Sequence, residues 1–93
     1  MVLLACDAEQ AGMNEREIYL SNRIDQLFTW IRQLGAELPQ LEEARDYAYG
    51  NESSRVWYDR NVRVNEARRE IKRNEKEMAQ LKRELEQIRQ RRR

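Results

Sequence analysis

Apolar positions recur along this chain in three stretches, each with helical spacing. In the first, Leu20, Ile24, Leu27, Ile31 and Leu34 follow at intervals of four, three, four and three, with Phe28 beside them. That spacing places one wide apolar face on an α-helix. Its start is marked by the run MNEREI at 13–18. Asn14 caps the first turn, Glu17 three residues on completes a capping box, and Met13 and Ile18 sit where a hydrophobic staple needs them. Gly35 supplies a stop.

Pro39 opens the second stretch, because proline is tolerated in the first turn of a helix. Leu38, Leu41, Ala44 and Ala48 share a face there, flanked by Tyr47 and Tyr49. The apolar phase changes across Gly50-Asn51, which predicts a break rather than one rod through the glycine. Ser53 or Ser54 then caps a third helix from about Arg55. No proline or glycine follows, and a helix over 55–90 spans about 54 Å at 1.5 Å per residue.

The third stretch carries the longest regular pattern. With Val64 at heptad position a, Ile71, Met78 and Leu85 are also a, and Ala67, Asn74, Leu81 and Ile88 are d. This is the alternation of threes and fours of a coiled coil, with Asn74 as the polar member that sets register. Two short helices cannot cover a rod of this length, so the seam is expected to pair with another helix. In a parallel homodimer, Glu77 at g faces Lys82 at e and Glu84 faces Arg89, both opposite in sign. Glu70 facing Glu75 opposes this, and an antiparallel homodimer brings Glu70 and Glu77 together, so parallel pairing is preferred.

Upstream, Val56, Trp57, Tyr58 and Val62 are not confined to one seam, so 55–67 is expected to pack against the first two helices, with Trp30 and Trp57 as neighbours in the core. The pattern therefore predicts an all-α protein. Residues 1–12 form a flexible N-terminal arm, 13–67 a small helical body of two short helices and the start of a long third, and 68–93 a protruding coiled-coil extension with a basic C-terminal end.

Charge adds an asymmetry that the net value of +1 conceals. Residues 1–50 hold 4 basic and 9 acidic side chains, a balance of −5, whereas 51–93 hold 14 and 8, a balance of +6. Such a division permits head-to-tail association or an anionic partner for the second half. Arg69, Lys76 and Arg83 occupy successive f positions, Lys72 and Arg73 lie beside them, and Arg91, Arg92 and Arg93 follow. Glutamates interspersed along the stretch dilute the field, and a DNA-reading basic region is poorer in acids and precedes its zipper. A solvated face with arginines at the helix C-terminus accounts for the pattern. Phosphate contact by Arg69, Arg73, Lys76, Arg83, Arg91, Arg92 and Arg93 is the second reading, non-specific and steeply salt-dependent.

Candidate chemistry is sparse. Histidine, the commonest general base and metal ligand, is absent. Cys6 is the only cysteine, so there is no intrachain disulfide and no thiolate zinc site. The run MVLLAC resembles the end of a lipoprotein signal but lacks the basic start and apolar stretch such signals need. No stretch reaches the length of a membrane span. The three glycines, at 12, 35 and 50, form no phosphate loop. Glu42, Glu43 and Asp46 cluster without a loop of oxygen ligands, and Glu66 and Glu70 share an open face rather than a pocket. The sequence therefore predicts a cytoplasmic, non-enzymatic interaction or assembly protein, an adaptor, inhibitor or scaffold component of the small viral kind. It needs no cofactor, metal, membrane or small-molecule substrate. Its partner is a second copy or another helical protein, with nucleic acid as the alternative.

Overall fold

The structure, a computed structural model, describes residues 14–92. Two helices account for nearly all of it: α1, Glu15–Ala48, with 34 residues, and α2, Ser54–Arg91, with 38. They lie antiparallel as one elongated hairpin with principal extents of 65 × 27 × 15 Å. No strand occurs among the described residues.

The first departure from expectation is that two helices replace three. Gly35 does not stop α1 and Pro39 does not begin a new helix, since both lie inside Glu15–Ala48. Inner positions explain why. Residues 17, 20, 24, 27, 31, 34, 38, 41, 45 and 48 are all buried or half-buried. They keep the alternation of threes and fours without interruption, because Leu34 to Leu38 is a step of four. Gly35 and Pro39 both fall on the exposed side of that repeat. A proline in a helix interior loses one backbone bond and crowds the carbonyl four residues earlier, costing about 3 kcal/mol. Here that residue is Gly35, the one type without a Cβ to restrict its adjustment. The local penalty is outweighed because a break would throw Leu38, Leu41 and Ala48 off the face they share with Leu20 and Leu27.

The ends follow ordinary capping chemistry. Asn14 Oδ1 accepts from the Glu17 amide at 2.9 Å. The reciprocal half of the capping box is not formed among the described residues; Glu17 Oε2 accepts from Arg92 instead. Ser53 caps α2, its Oγ accepting from the Val56 amide at 3.3 Å. Between the helices Gly50 turns the chain at φ +80°, a left-handed conformation that glycine enters without penalty. The Asn51 side-chain amide donates to the Tyr47 carbonyl at 2.8 Å, closing α1's last turn. The arm at 1–12, Met13 of the staple, Cys6 and Arg93 lie outside the described residues.

The second departure concerns α2. Positions 57, 60, 64, 67, 71, 74, 78, 81, 85 and 88 are all buried or half-buried, so the inner face includes all eight seam residues. That face is turned to α1 of the same chain. Residues 68–92 do not project from a body, because Arg92 reaches back to Glu17 at the start of α1. Fully buried apolar side chains are few: Leu20, Leu27, Ala48 and Val64, with Ala67 and Leu85 nearly so. Trp30 and Trp57 are not neighbours. Trp57 is half-buried at the turn, whereas Trp30 is 39% exposed on the flank of α1, about 27 Å of helix rise before Ala48.

Candidate interaction surfaces

Three kinds of surface run along the hairpin. The first is the seam edge, where charged side chains stitch the helices together. Arg16 pairs with Glu84, Arg23 with Glu77 at 3.0 Å and Arg68 with Glu42 at 2.6 Å. Arg60 joins Glu52 at 2.8 Å and also donates to the Ala44 carbonyl at 2.9 Å. These pairs set the antiparallel register and follow from heptad geometry, since residues flanking a seam lie within reach of the facing helix. Glu77 and Glu84, which the sequence assigns to Lys82 and Arg89 of a second copy, are taken here by arginines of α1. Heptad pairing within 64–90 leaves out Arg16 and Arg23, which lie 68 and 54 residues from their acids in the sequence.

The second surface is the outer ridge of α2. Arg69, Lys72, Arg73, Lys76 and Arg83 are all exposed. Among the described residues none of them makes an ion pair, whereas Arg16, Arg23, Arg45, Arg60, Arg68 and Arg92 do. The six paired arginines lie on or beside the seam and the five ridge cations point away from it; among the described residues Arg32, Arg55, Arg63, Lys82, Arg89 and Arg91 make no ion pair either. Of the other phosphate candidates, Arg91 is exposed and Arg92 is bonded to Glu17.

The third surface is aromatic. On α1, Tyr19, Trp30 and Phe28 each carry a guanidinium over the ring, from Arg16, Arg23 and Arg32 at 5.3, 5.2 and 5.8 Å from the ring centre. Each stacked arginine covers part of an apolar ring and gains cation–π attraction. Around the turn, Tyr47, Tyr49 and Tyr58 stand 62, 77 and 61% exposed. A shallow cleft of about 180 Å³ lies between Ala48, Tyr49, Gly50, Glu52, Ser54 and Trp57.

The acidic cluster of the second stretch is dispersed by pairing. Glu42 meets Arg68, and Asp46 meets Arg45 at 3.0 Å. Glu66 and Glu70 lie with Arg69, Lys72 and Arg73 along an open groove of α2. No helix among the described residues is long and apolar enough to cross a membrane. Compared with known proteins, the chain matches no family model, no curated protein and no solved structure. The class that the coordinates define is therefore architectural: an all-α antiparallel hairpin with heptad-spaced inner faces.

Proposed function

We propose that this chain is a non-enzymatic helical assembly protein, of the adaptor, inhibitor or scaffold kind, whose hairpin is completed by a second copy. The observation that carries this reading is the incomplete cover of the inner face. Ile24, Ile31, Leu34, Leu41, Ile71 and Met78 point to the facing helix yet remain only half-buried. In a layer of two helices each inner side chain has a single neighbouring helix, and its edges stay open to water. Ordering each residue costs about 1.5 kcal/mol, so small scaffolds need a staple. A lone cysteine offers no intrachain disulfide, and association is another means of closing such a core.

Two hairpins stacked across their open edges form a four-helix arrangement with the crossing geometry of left-handed bundles. This mode keeps the ion pairs of Arg16 and Arg23. The parallel pairing of Val64, Ala67, Ile71, Asn74, Met78, Leu81, Leu85 and Ile88 with their own copies competes instead for the face held by α1. It requires the hairpin to open at the turn. A different helical protein offering a similar apolar edge is the other partner this reading admits.

Sedimentation equilibrium over a hundredfold range of concentration, with thermal melting at the same concentrations, tests the reading. The expected result is a dimer whose melting temperature rises with concentration, as linkage demands. A monomer at every concentration, melting cooperatively at one temperature, would overturn completion by a second copy.

A further inference from the structure

We infer that the outer ridge of α2 is a docking strip for the phosphodiester backbone of a double-stranded nucleic acid. This goes beyond assembly and uses a different face. Arg69, Lys76 and Arg83 stand at f positions, the points of the heptad that face directly away from α1. Successive members are seven residues apart, about 10.5 Å along the axis. Lys72 and Arg73 fill the interval between the first two. The strip so formed runs about 21 Å from Arg69 to Arg83.

Three observations select the ligand. First, these cations are not used within the described fold: none of the five is in an ion pair, although six other arginines of the hairpin are. Second, the matching outer face of α1 carries one cation, Arg32, against the acids Asp25 and Glu43, all exposed, and is otherwise made of uncharged residues such as Asn22, Gln26 and Gln33. The cations are therefore concentrated on the α2 side of the rod, with the exposed Glu66, Glu70 and Glu75 at the margins of the ridge. Third, the strip is devoid of apolar anchors. Between 69 and 83 its exposed outer positions hold only Ala79 and Gln80 besides the cations.

A helix that lies on a membrane needs large apolar side chains to enter the acyl boundary, and this strip has none. Single strands are gripped by stacking bases on aromatic rings. The nearest aromatic residue along α2 is Tyr58, 11 residues before Arg69. What remains is a regular line of phosphates, contacted as point charges and without base readout. In a stacked pair of hairpins the strip stays outside, so assembly and docking are compatible.

The test uses the full chain and a fluorescein-labelled duplex of about 20 base pairs, with anisotropy read at 50 and 200 mM salt. With about four phosphates neutralised, the fourfold rise in salt weakens binding by about a hundredfold. The variant R69Q/R73Q/R83Q weakens binding at 50 mM by at least about tenfold and lowers the salt slope by about one per arginine removed. R69K/R73K/R83K keeps the charges and retains binding. R55Q/R63Q/R32Q, which removes the same charge off the strip, changes affinity less than about threefold. Far-ultraviolet circular dichroism of each variant monitors the helices.

Absence of duplex binding by the unaltered chain at 50 mM salt overturns the inference. So does equal weakening by the on-strip and off-strip glutamine variants, because net charge would then suffice. Binding to phosphatidylserine vesicles that an excess of duplex does not displace would assign the strip to a membrane instead and overturn it as well.

Discussion

Glu17 and Arg92 are 75 residues apart in sequence, yet Arg92 Nη2 donates to Glu17 Oε2 at 2.9 Å. The carboxylate is 1% exposed and the arginine side chain 37%. The contact pins the last turn of α2 to the first turn of α1 and closes the end of the hairpin opposite the turn. The Glu17 carboxylate does not also close the capping box at Asn14 among the described residues. Its other oxygen, Oε1, is buried with no hydrogen-bond partner among the described residues.

Removing the arginine therefore strands a buried charge. Losing one member of a fully buried pair costs about 3–5 kcal/mol. Arg92 is more than a third exposed, so solvent screening reduces the expected loss for Arg92→Ala to about 1–2 kcal/mol. Glu17→Gln removes the charge and keeps an acceptor, so Arg92→Ala in that background costs little. A double-mutant cycle by urea denaturation checks the coupling; additive losses would show that the contact is not a stabilising pair.

Pro39 and Gly35 form a second linked pair, within α1. Pro39→Ala restores an interior hydrogen bond and is expected to raise stability by up to about 3 kcal/mol. Gly35→Ala has open space for its methyl group, with nothing within 4 Å, and on propensity gains up to about 1 kcal/mol. That gain should be smaller while Pro39 is present, because Gly35 absorbs the crowding of its own carbonyl. Denaturation of both single variants and the double variant measures the coupling.

Gly50 tests the turn. An added Cβ meets nothing within 4 Å, but φ is +80°, so only the backbone resists substitution. Gly50→Ala should destabilise by about 1–2 kcal/mol, the penalty of a left-handed conformation for an L side chain. Gly50→Asn should lose less, since asparagine enters that region more readily. Thermal melts of both variants suffice, and equal losses would contradict the backbone explanation.

Asn74 is the polar member of an otherwise apolar series on α2 and is half-buried. Asn74→Leu removes the desolvation of an amide and should stabilise by about 1–2 kcal/mol. Register is the expected sacrifice, because a lone polar residue on such a face disfavours slipped and alternative pairings. Sedimentation velocity should therefore show a broader distribution of assembly states for this variant than for the unaltered chain.

Much of this architecture was legible residue by residue. The periodicity of Leu20 to Leu34 and of Val64 to Ile88, the cap at Asn14 and the phase change near Gly50 are local features, encoded within a few turns of chain. The signal for a single α1 was present too: Leu34, Leu38 and Leu41 continue the same alternation. Gly35 and Pro39 obscured it because their local penalties are easy to see, whereas the gain from one continuous buried face is shared across 34 residues of helix. The unpaired ridge was readable as a row of f positions. Which cations were already engaged was not, because Arg16, Arg23 and Arg68 find their acids 26 to 68 residues away.

Periodicity states that a helix has a face to bury and how long that face is. It does not state what will cover it, because a facing helix from the same chain and one from another copy present the same kinds of side chain at the same spacing. In this structure α1 takes the place expected of a second copy. Both inner faces span ten heptad positions, the turn at Gly50 brings them together, and Glu77 and Glu84 find arginines on α1. A helix joined through so short a turn is held at high effective concentration, so the intramolecular face forms first unless a partner offers more.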